Sequence, residues 1–146
     1  MAAPTLDNQV ALVTGGSGDI GGAIARRLAD AGAEVIITYV GAQDSAEAIV
    51  SDIQQAGGRA YCRQLNQRDP AAIEALMTEI GEHSQRLDIL VNNAAWNIGI
   101  PFPNLDELTA DIWDRVLETN LRGPFLLARA GAKLLQAGTG GHIVNI

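Results

Sequence analysis

The stretch that decides the fold is LVTGGSGDIGGAIARRLADAG, Leu12 to Gly32. Within it, Gly16, Gly18 and Gly21 have the spacing G-x-G-x-x-G that is typical of a dinucleotide-binding turn. Glycine is common in this chain, with 16 among 146 residues, so the spacing alone is a weak signal. The apolar strand pattern VALVT, Val10 to Thr14, comes directly before the turn, and an amphipathic helix pattern follows it. This strand–turn–helix context favours a turn that binds phosphate groups.

Asp19 is the unusual residue of this turn. Counted from Thr14, the sequence satisfies T-G-x-x-G-x-x-G, but it fails T-G-x-x-x-G-x-G because Asp19 occupies the place of the middle glycine. A carboxylate beside a phosphate would be repelled by roughly 1 kcal/mol at ~4 Å. We therefore expect Asp19 to cap the following helix, with a solvent-facing side chain as the alternative.

Apolar strand patterns alternate with helical patterns along the whole chain. Such alternation predicts parallel strands joined by right-handed crossovers, with helices on both faces of the sheet. We expect an α/β fold: one doubly wound, Rossmann-like domain over residues 1–146, in strand order 3-2-1-4-5, with a ligand crevice at the carboxyl ends of strands 1 and 4. The predicted strands are Val10–Thr14, Glu34–Val40, Arg59–Leu65, Leu87–Val91 and His142–Ile146.

Several helices have candidate start signals. A side-chain oxygen at the residue before a helix, or a proline at its first position, favours the start of that helix. The candidates are Asp44 with Glu47 as a capping box, Asp69 with Pro70, and either Thr109 or Asp111.

Composition and charge exclude several classes of function. The chain is 47% hydrophobic and carries a net charge of −7, which argues against a surface for nucleic acid or for anionic membranes. No apolar run approaches the ~20 residues of a membrane span. The start, MAAPTLDNQ, lacks the regions of a signal peptide, and Cys62 is the only cysteine, so we expect a cytoplasmic protein without an internal disulfide. His83 and His142 lack metal-ligand spacing, and no metal site is expected.

Asn120 lies in a helical pattern where asparagine is a poor helix former. Pro124, four residues later, has no N–H group, so the carbonyl of Asn120 loses its helical donor and the helix should kink. The kink is either a tolerated irregularity or a device that exposes this carbonyl.

Four segments together resemble the classical short-chain dehydrogenase/reductase family: TGGSGDIG, LDILVNNAA, WDRVLETNLRGPF and GGHIVNI. They occur in the family's order and with suitable spacing over essentially the whole chain. The resemblance implies an oxidoreductase that uses NADP or NAD to move hydride to or from a small-molecule carbonyl or secondary alcohol.

The same resemblance implies particular site residues. Asn120 matches the asparagine of the family's Asn–Ser–Tyr–Lys catalytic set, and Asp88 matches an acidic residue that supports the adenine pocket. Asn66 stands where the family usually has aspartate beside adenine, although a plain turn residue is nearly as good an interpretation. Ala95 replaces the last glycine of the family's N-N-A-G segment. The implied cofactor-binding residues are Thr14, Gly15, Gly16, Ser17, Gly18, Asp19, Ile20, Gly21, Tyr39, Asn66, Gln67, Asn93, Ala94 and Ala95.

The chain departs from the family at its general acid. The family's serine and its Tyr-x-x-x-Lys follow the fifth strand, whereas Tyr39, Tyr61 and the single lysine, Lys133, do not form that motif. We therefore expect the chain to represent the amino-terminal, cofactor-binding half of such an enzyme, truncated after strand five, and to be inactive alone. The alternative is a non-catalytic nucleotide-binding or interaction domain with a flavodoxin-like sheet.

Strand two ends without the acidic residue that NAD specificity usually requires. The residues there are Thr38, Tyr39, Val40 and Gly41, which favours NADP. No arginine or lysine follows to hold a 2′-phosphate, so NAD stays the second possibility.

Two further expectations concern apolar residues. Strand five and the long helix after Asp111 predict a homo-oligomer, because an unprotected edge strand and a broad apolar helix recruit a partner; the helix carries Leu117, Leu121, Phe125 and Leu126. In the loop after strand four, the apolar residues either line a substrate wall or pack within the loop, and packing is favoured; they are Trp96, Ile98, Ile100 and Phe102.

Overall fold

The computed structural model describes residues 5–138 and 140–146. The four residues at the start of MAAPTLDNQ lie outside the described residues. The strands are β1 Val10–Val13, β2 Glu34–Tyr39, β3 Arg59–Gln64, β4 Ile89–Asn92 and β5 His142–Asn145. The α-helices are α1 Asp19–Asp30, α2 Gln43–Gln55, α3 Pro70–Ser84, α4 Ala110–Leu117 and α5 Gly123–Leu135. A 3-10 helix spans Phe102–Glu107, and a π-helical segment, here called the π turn, spans Glu118–Arg122.

The five strands form one parallel sheet in the order β3-β2-β1-β4-β5, which confirms the predicted order. Strand β1 lies at the centre, where Leu12 is in register with Ile36 of β2 and with Leu90 of β4. A flavodoxin-like sheet would instead place β3 next to β1. The strand order therefore excludes the flavodoxin-like alternative.

Each face of the sheet has its own apolar core, because successive strand residues point to opposite faces. On one face, Val13 and Ile37 pack with Ile49 of α2. On the other, Leu12 and Leu127 pack with residues of α3 and α5. Leu126, one of the four apolar residues of the long helix, is partly buried against this second core, whereas Leu117, Leu121 and Phe125 are exposed.

Two helices begin as predicted. The Asp69 carboxylate accepts hydrogen bonds from the N–H groups of Ala71 and Ala72, at 2.9 and 3.3 Å, and Pro70 is the first helical residue. Thr109, rather than Asp111, caps α4.

The other two predicted caps are wrong. Helix α2 begins at Gln43, which places Asp44 inside the helix and leaves Ala42 in the cap position, with no side-chain cap among the described residues. At α1 the cap position belongs to Gly18, so Asp19 is the first helical residue and its exposed carboxylate caps nothing that the structure describes. Helix α1 thus starts at the acid itself, and α2 starts one residue before it.

Among the described helices, none combines the length and apolar character needed to cross a membrane.

Candidate functional site

A cavity of about 700 Å³ lies at the carboxyl end of the sheet, where β1, β2, β3 and β4 give way to loops. Parallel α/β sheets characteristically hold their ligands at this edge. All the predicted cofactor-binding residues line the cavity except Thr14 and Gly16, which lie behind its wall. Additional lining residues include Arg68, Trp96, Arg115 and Thr119, none of which the sequence singled out as cofactor-binding.

Thr14 and Asn93 join the glycine turn to the segment that follows β4. The fully buried Thr14 hydroxyl accepts hydrogen bonds from the N–H groups of Asn93, at 3.1 Å, and Ala94, at 3.0 Å. In return, the side-chain amide of Asn93 donates to the carbonyls of Thr14 and Gly15, at 2.9 and 3.2 Å. These four hydrogen bonds hold the glycine turn against the segment that follows β4.

The turn has no room for side chains at two of its glycines. Gly15 has a φ of 65°, and a Cβ there would lie 2.9 Å from the Cα of Ala94. A Cβ on Gly21 would overlap the carbonyl of Gly15 and lie 2.7 Å from the amide nitrogen of Asn93. The turn therefore presents bare backbone to the cavity, beside the amino terminus of α1. Bare backbone N–H groups and the positive end of a helix suit a pyrophosphate, so these residues fit a dinucleotide.

The loop after β3 forms the opposite wall. The Asn66 side chain accepts a hydrogen bond from the N–H of Arg68 at 3.1 Å, so Asn66 is a turn residue that also lines the cavity. Gln67 is only 4% exposed, and its amide nitrogen donates to the carbonyls of Ala94 and Thr119, at 3.0 and 2.7 Å. These contacts could not be predicted from local sequence patterns, because the partners are distant along the chain.

Asn120 lies at a second cavity of about 680 Å³, which shares Ala94 and Ala95 with the first. Its side chain accepts from the N–H of Trp96 at 2.8 Å and donates to the carbonyl of Trp96 at 3.0 Å. The predicted distortion of the helix is present as the π turn, which separates α4 from α5 just before Pro124. Asn120 is thus close to, but not part of, the predicted cofactor wall.

Trp96, in the loop after β4, forms a cation–π contact with Arg115 of α4. The guanidinium of Arg115 lies 4.0 Å from the centre of the Trp96 ring, within the range of a cation–π contact. Farther along, Ile98 and Phe102 are exposed, Phe102 by 84%, so the prediction that these two pack within the loop is wrong. Ile98 lies in a segment without regular structure, and Phe102 begins a 3-10 helix that has no buried residue.

Asp88 lies at the opposite edge of the sheet from the cavity. Its buried carboxylate accepts a hydrogen bond from the N–H of Val10 at 2.8 Å and forms an ion pair with Arg86. It therefore joins the amino ends of β1 and β4, and the expected support of an adenine pocket is wrong. The strand runs away from Asp88 toward the cavity, which separates the two.

The described residues contain no group of three or more His, Cys, Asp or Glu side chains placed to hold a metal ion. His83 instead contacts the carboxylate of Glu34 at 3.1 Å and the edge of the Tyr61 ring.

The family model described as short chain dehydrogenase matches residues 9–146. The chain therefore belongs to the short-chain dehydrogenase/reductase family of oxidoreductases.

Two relatives illustrate the range of similarity. The chain is 38% identical over 133 residues to versicolorin reductase stcU of Emericella nidulans, covering 91% of this chain and 49% of that protein. It is 41% identical over 142 residues to the uncharacterized oxidoreductase YgfF of Escherichia coli, covering 94% and 56%. The chain thus spans about half the length of the curated relatives it matches.

Two solved structures share the fold of this chain. A metagenomic short-chain oxidoreductase in complex with NADP superposes with a TM-score of 0.88 at 38% identity, covering 96% of this chain and 62% of that one. A short chain dehydrogenase from Burkholderia cenocepacia J2315, also in complex with NADP, gives 0.87 at 41% identity, covering 96% and 55%.

Proposed function

We propose that the 146 residues act as one dinucleotide-binding domain of an oxidoreductase that moves hydride between NADP(H) and a small carbonyl compound or secondary alcohol. The observation that carries this proposal is the glycine turn fixed to the segment after β4 by Thr14 and Asn93, at the mouth of the first cavity. The cytoplasm, expected from the sequence, is the proposed compartment.

The proposed division of labour follows the walls of the cavity. The backbone of the glycine turn and the start of α1 would bind the pyrophosphate, with Ser17 and Ile20 at its edge. The loop containing Asn66 and Gln67 would hold the adenine side, and the segment Asn93–Ala95 would lie along the cofactor. When bound, the nicotinamide supplies or accepts the hydride.

NADP is preferred over NAD in this proposal. No carboxylate lies between Thr38 and Ala42 at the end of β2, where an acid would hold a free ribose and repel a 2′-phosphate. Arg68 and Arg115 add positive charge to the cavity wall. Three structurally similar proteins were solved with NADP or NADPH.

Catalysis needs a proton donor as well as a hydride. The family's Tyr-x-x-x-Lys does not occur among these residues, since neither Tyr39 nor Tyr61 has a lysine four positions later. Asn120 is the one residue of the family's catalytic set that they include. We therefore propose that these residues bind the nucleotide but do not turn over a ketone.

Isothermal titration with NADPH, NADH and ADP-ribose tests the binding. We expect NADPH to bind more tightly than NADH, and the Gly21→Ala variant to lose both, because its Cβ would overlap the turn. No heat of binding for any nucleotide at millimolar concentration would overturn the proposal. NADPH oxidation that follows the protein and depends on a ketone would overturn the part on turnover.

A second copy of the chain is the proposed partner. Leu117, Leu121 and Phe125 form an exposed apolar face along α4, the π turn and α5, with Leu121 exposed by 67%. Burying such residues would contribute ~1.5–3 kcal/mol each, which outweighs screened repulsion between like-charged chains. Light scattering coupled to size exclusion measures the mass of the chain in solution. At ~100 μM, well above a micromolar dissociation constant, we expect at least the mass of a dimer. A clean monomer would contradict the proposed assembly.

A further inference from the structure

The π turn leaves one main-chain carbonyl without a helical donor. In an α-helix each carbonyl accepts from the N–H four residues later, and in a π-helix from the N–H five residues later. Here the N–H of Gly123 donates to the carbonyl of Glu118, five residues before it. In the same register the carbonyl of Thr119 would need the N–H of residue 124, which is Pro124. Proline has no N–H to give.

The Gln67 side chain supplies the missing donor. Its amide nitrogen lies 2.7 Å from the carbonyl oxygen of Thr119 and 3.0 Å from that of Ala94. The approach is possible because residue 123 is glycine: a Cβ on Gly123 would lie 2.8 Å from the Cγ of Gln67. One side chain thus bonds the π turn to the segment that follows β4.

The orientation of the Gln67 amide is fixed by these two acceptors. A flipped amide would place its oxygen against two carbonyl oxygens, so the nitrogen must face them. The Gln67 oxygen is buried and has no hydrogen-bond partner among the described residues. The two bonds that the nitrogen makes therefore decide which way the amide faces.

We propose that Gln67 is a positioning residue, whose amide replaces the N–H that Pro124 lacks and thereby fixes the place of Asn120. Asn120 follows Thr119 directly, and its side chain forms two hydrogen bonds with the main chain of Trp96. Since Gln67 also lines the first cavity, it connects the proposed nucleotide site to Asn120.

The neighbouring ion pair does not explain the same geometry. Arg68 and Glu118 also join this loop to the π turn, at 2.9 Å, but both side chains are partly exposed. Ion pairs of this kind contribute little to stability. The buried amide is the stronger of the two connections.

Trp96 reports the position of Asn120. In a Trp113→Phe background Trp96 is the sole tryptophan, and its environment changes if Asn120 moves. The test compares Gln67→Met, which keeps the approximate shape and removes the donor, with the matched control Gln54→Met. Gln54 also donates its amide to a carbonyl, that of Ala60 at 2.9 Å, but it does not line the cavity.

We expect Gln67→Met to shift the Trp96 emission of the free chain. It should also raise the dissociation constant for NADPH about tenfold, or 1.4 kcal/mol, because Gln67 lines the proposed nucleotide site. Gln54→Met should change neither. Adding Pro124→Ala to Gln67→Met restores an N–H at position 124 for the carbonyl of Thr119 but no donor for that of Ala94. The double variant should therefore recover the parental emission more fully than the parental affinity. A general effect on folding would not be reversed by this second change.

The proposal is overturned if Gln67→Met has the parental emission, or if Pro124→Ala does not restore it. If circular dichroism shows that Gln67→Met is unfolded, the double variant is the test. A folded double variant supports the proposed role of Gln67, and an unfolded one contradicts it. Only the binding part rests on the proposed function. If the parent chain binds no NADPH, the proposed function is wrong. The Trp96 emission would still test the role of Gln67 in that case.

Discussion

The hydroxyl oxygen of Thr14 lies 3.1 Å from the backbone nitrogen of Asn93, although the two residues are 79 positions apart in the chain. The contact joins the carboxyl ends of β1 and β4, which are neighbours in the sheet. Thr14 is fully buried, so its hydroxyl takes the place of the water that would otherwise accept from the N–H groups of Asn93 and Ala94.

Replacing Thr14 with valine should lower the free energy of unfolding by about 1–3 kcal/mol, because the buried N–H of Ala94 loses its acceptor. The same change should weaken NADPH binding by loosening the glycine turn. Urea unfolding and calorimetric titration measure the two effects. Thr14→Ser keeps the hydroxyl and serves as the control. A loss in Thr14→Ser as large as that in Thr14→Val would contradict the assignment of the effect to the hydroxyl.

Two glycines of the same turn should respond differently to alanine. A Cβ on Gly21 would overlap the carbonyl of Gly15, whereas a Cβ on Gly18 would lie 3.6 Å from that atom, in ordinary contact. We expect Gly21→Ala to abolish nucleotide binding and to destabilise the chain, and Gly18→Ala to keep its stability to within ~1 kcal/mol. Thermal unfolding of the two variants side by side makes the comparison. A Gly21→Ala chain as stable as its parent would disprove the close approach.

An acid at the end of β2 should change the cofactor preference. In Tyr39→Asp, the new carboxylate can accept from ribose hydroxyls and would repel a 2′-phosphate. The ratio of the NADH and NADPH dissociation constants should move toward NADH by tenfold or more, about 1.4 kcal/mol. Tyr39→Asn introduces a side chain of about the same size as aspartate but without its charge, and it should shift this ratio less. An unchanged ratio in Tyr39→Asp would place the 2′-position elsewhere.

Asp88→Asn should lower the stability of the chain without changing its affinity for NADPH. Its carboxylate holds the N–H of Val10 and the guanidinium of Arg86 at the edge of the sheet away from the cavity. Loss of the charged acceptor should cost about 1.5–3 kcal/mol of unfolding free energy. The NADPH affinity of the folded variant should stay at the parental value. A large loss of affinity at full stability would return Asp88 to the adenine pocket.

The stability of the chain should fall in alkali partly through Tyr61. Burial, with the negative charges of Glu79 and Glu34, raises the pKa of Tyr61 from 10.0 to about 12. A folded pKa above the unfolded value contributes stability below pH 10, which is lost as the pH rises from 10 to 12. Tyr61→Phe should therefore show a flatter fall in unfolding free energy between pH 9 and 11, the interval around the ordinary tyrosine pKa.

At pH 8, well below that pKa, Tyr61→Phe should be at least as stable as the parent, because the buried hydroxyl has no hydrogen-bond partner among the described residues. Urea titrations across the pH series measure both effects. Parallel curves for parent and variant would contradict the raised pKa.

The sheet could be predicted from the sequence because its signals are local. Strands β1, β2 and β4 are apolar runs, and the strand–turn–helix context of Gly16, Gly18 and Gly21 places the crevice. The first residue of a helix is harder to predict. The cap lies one position before Asp19 in α1 and two positions before Asp44 in α2, so both acids are helical residues.

The contacts of the site could not be predicted in the same way. The π turn was expected only as a kink at Asn120, because the missing N–H of Pro124 is visible in the sequence. Its replacement by Gln67 is not visible, since that residue is 52 positions from Thr119. Side-chain partners so far apart are decided by packing, which no local pattern encodes.

The pairing of β1 with β4 sets the order in which the chain can fold. Ala11 is in register with Ile89, so two strands and three helices must be made before β4, the second partner of β1, exists. Contacts between distant segments slow folding, because the loop must close first. At about 5–20 residues per second, synthesis leaves the glycine turn waiting on the order of ten seconds for Asn93. The two halves of the proposed nucleotide site, the glycine turn and the segment after β4, are therefore made at different times, and the site is completed only when β4 has joined the sheet.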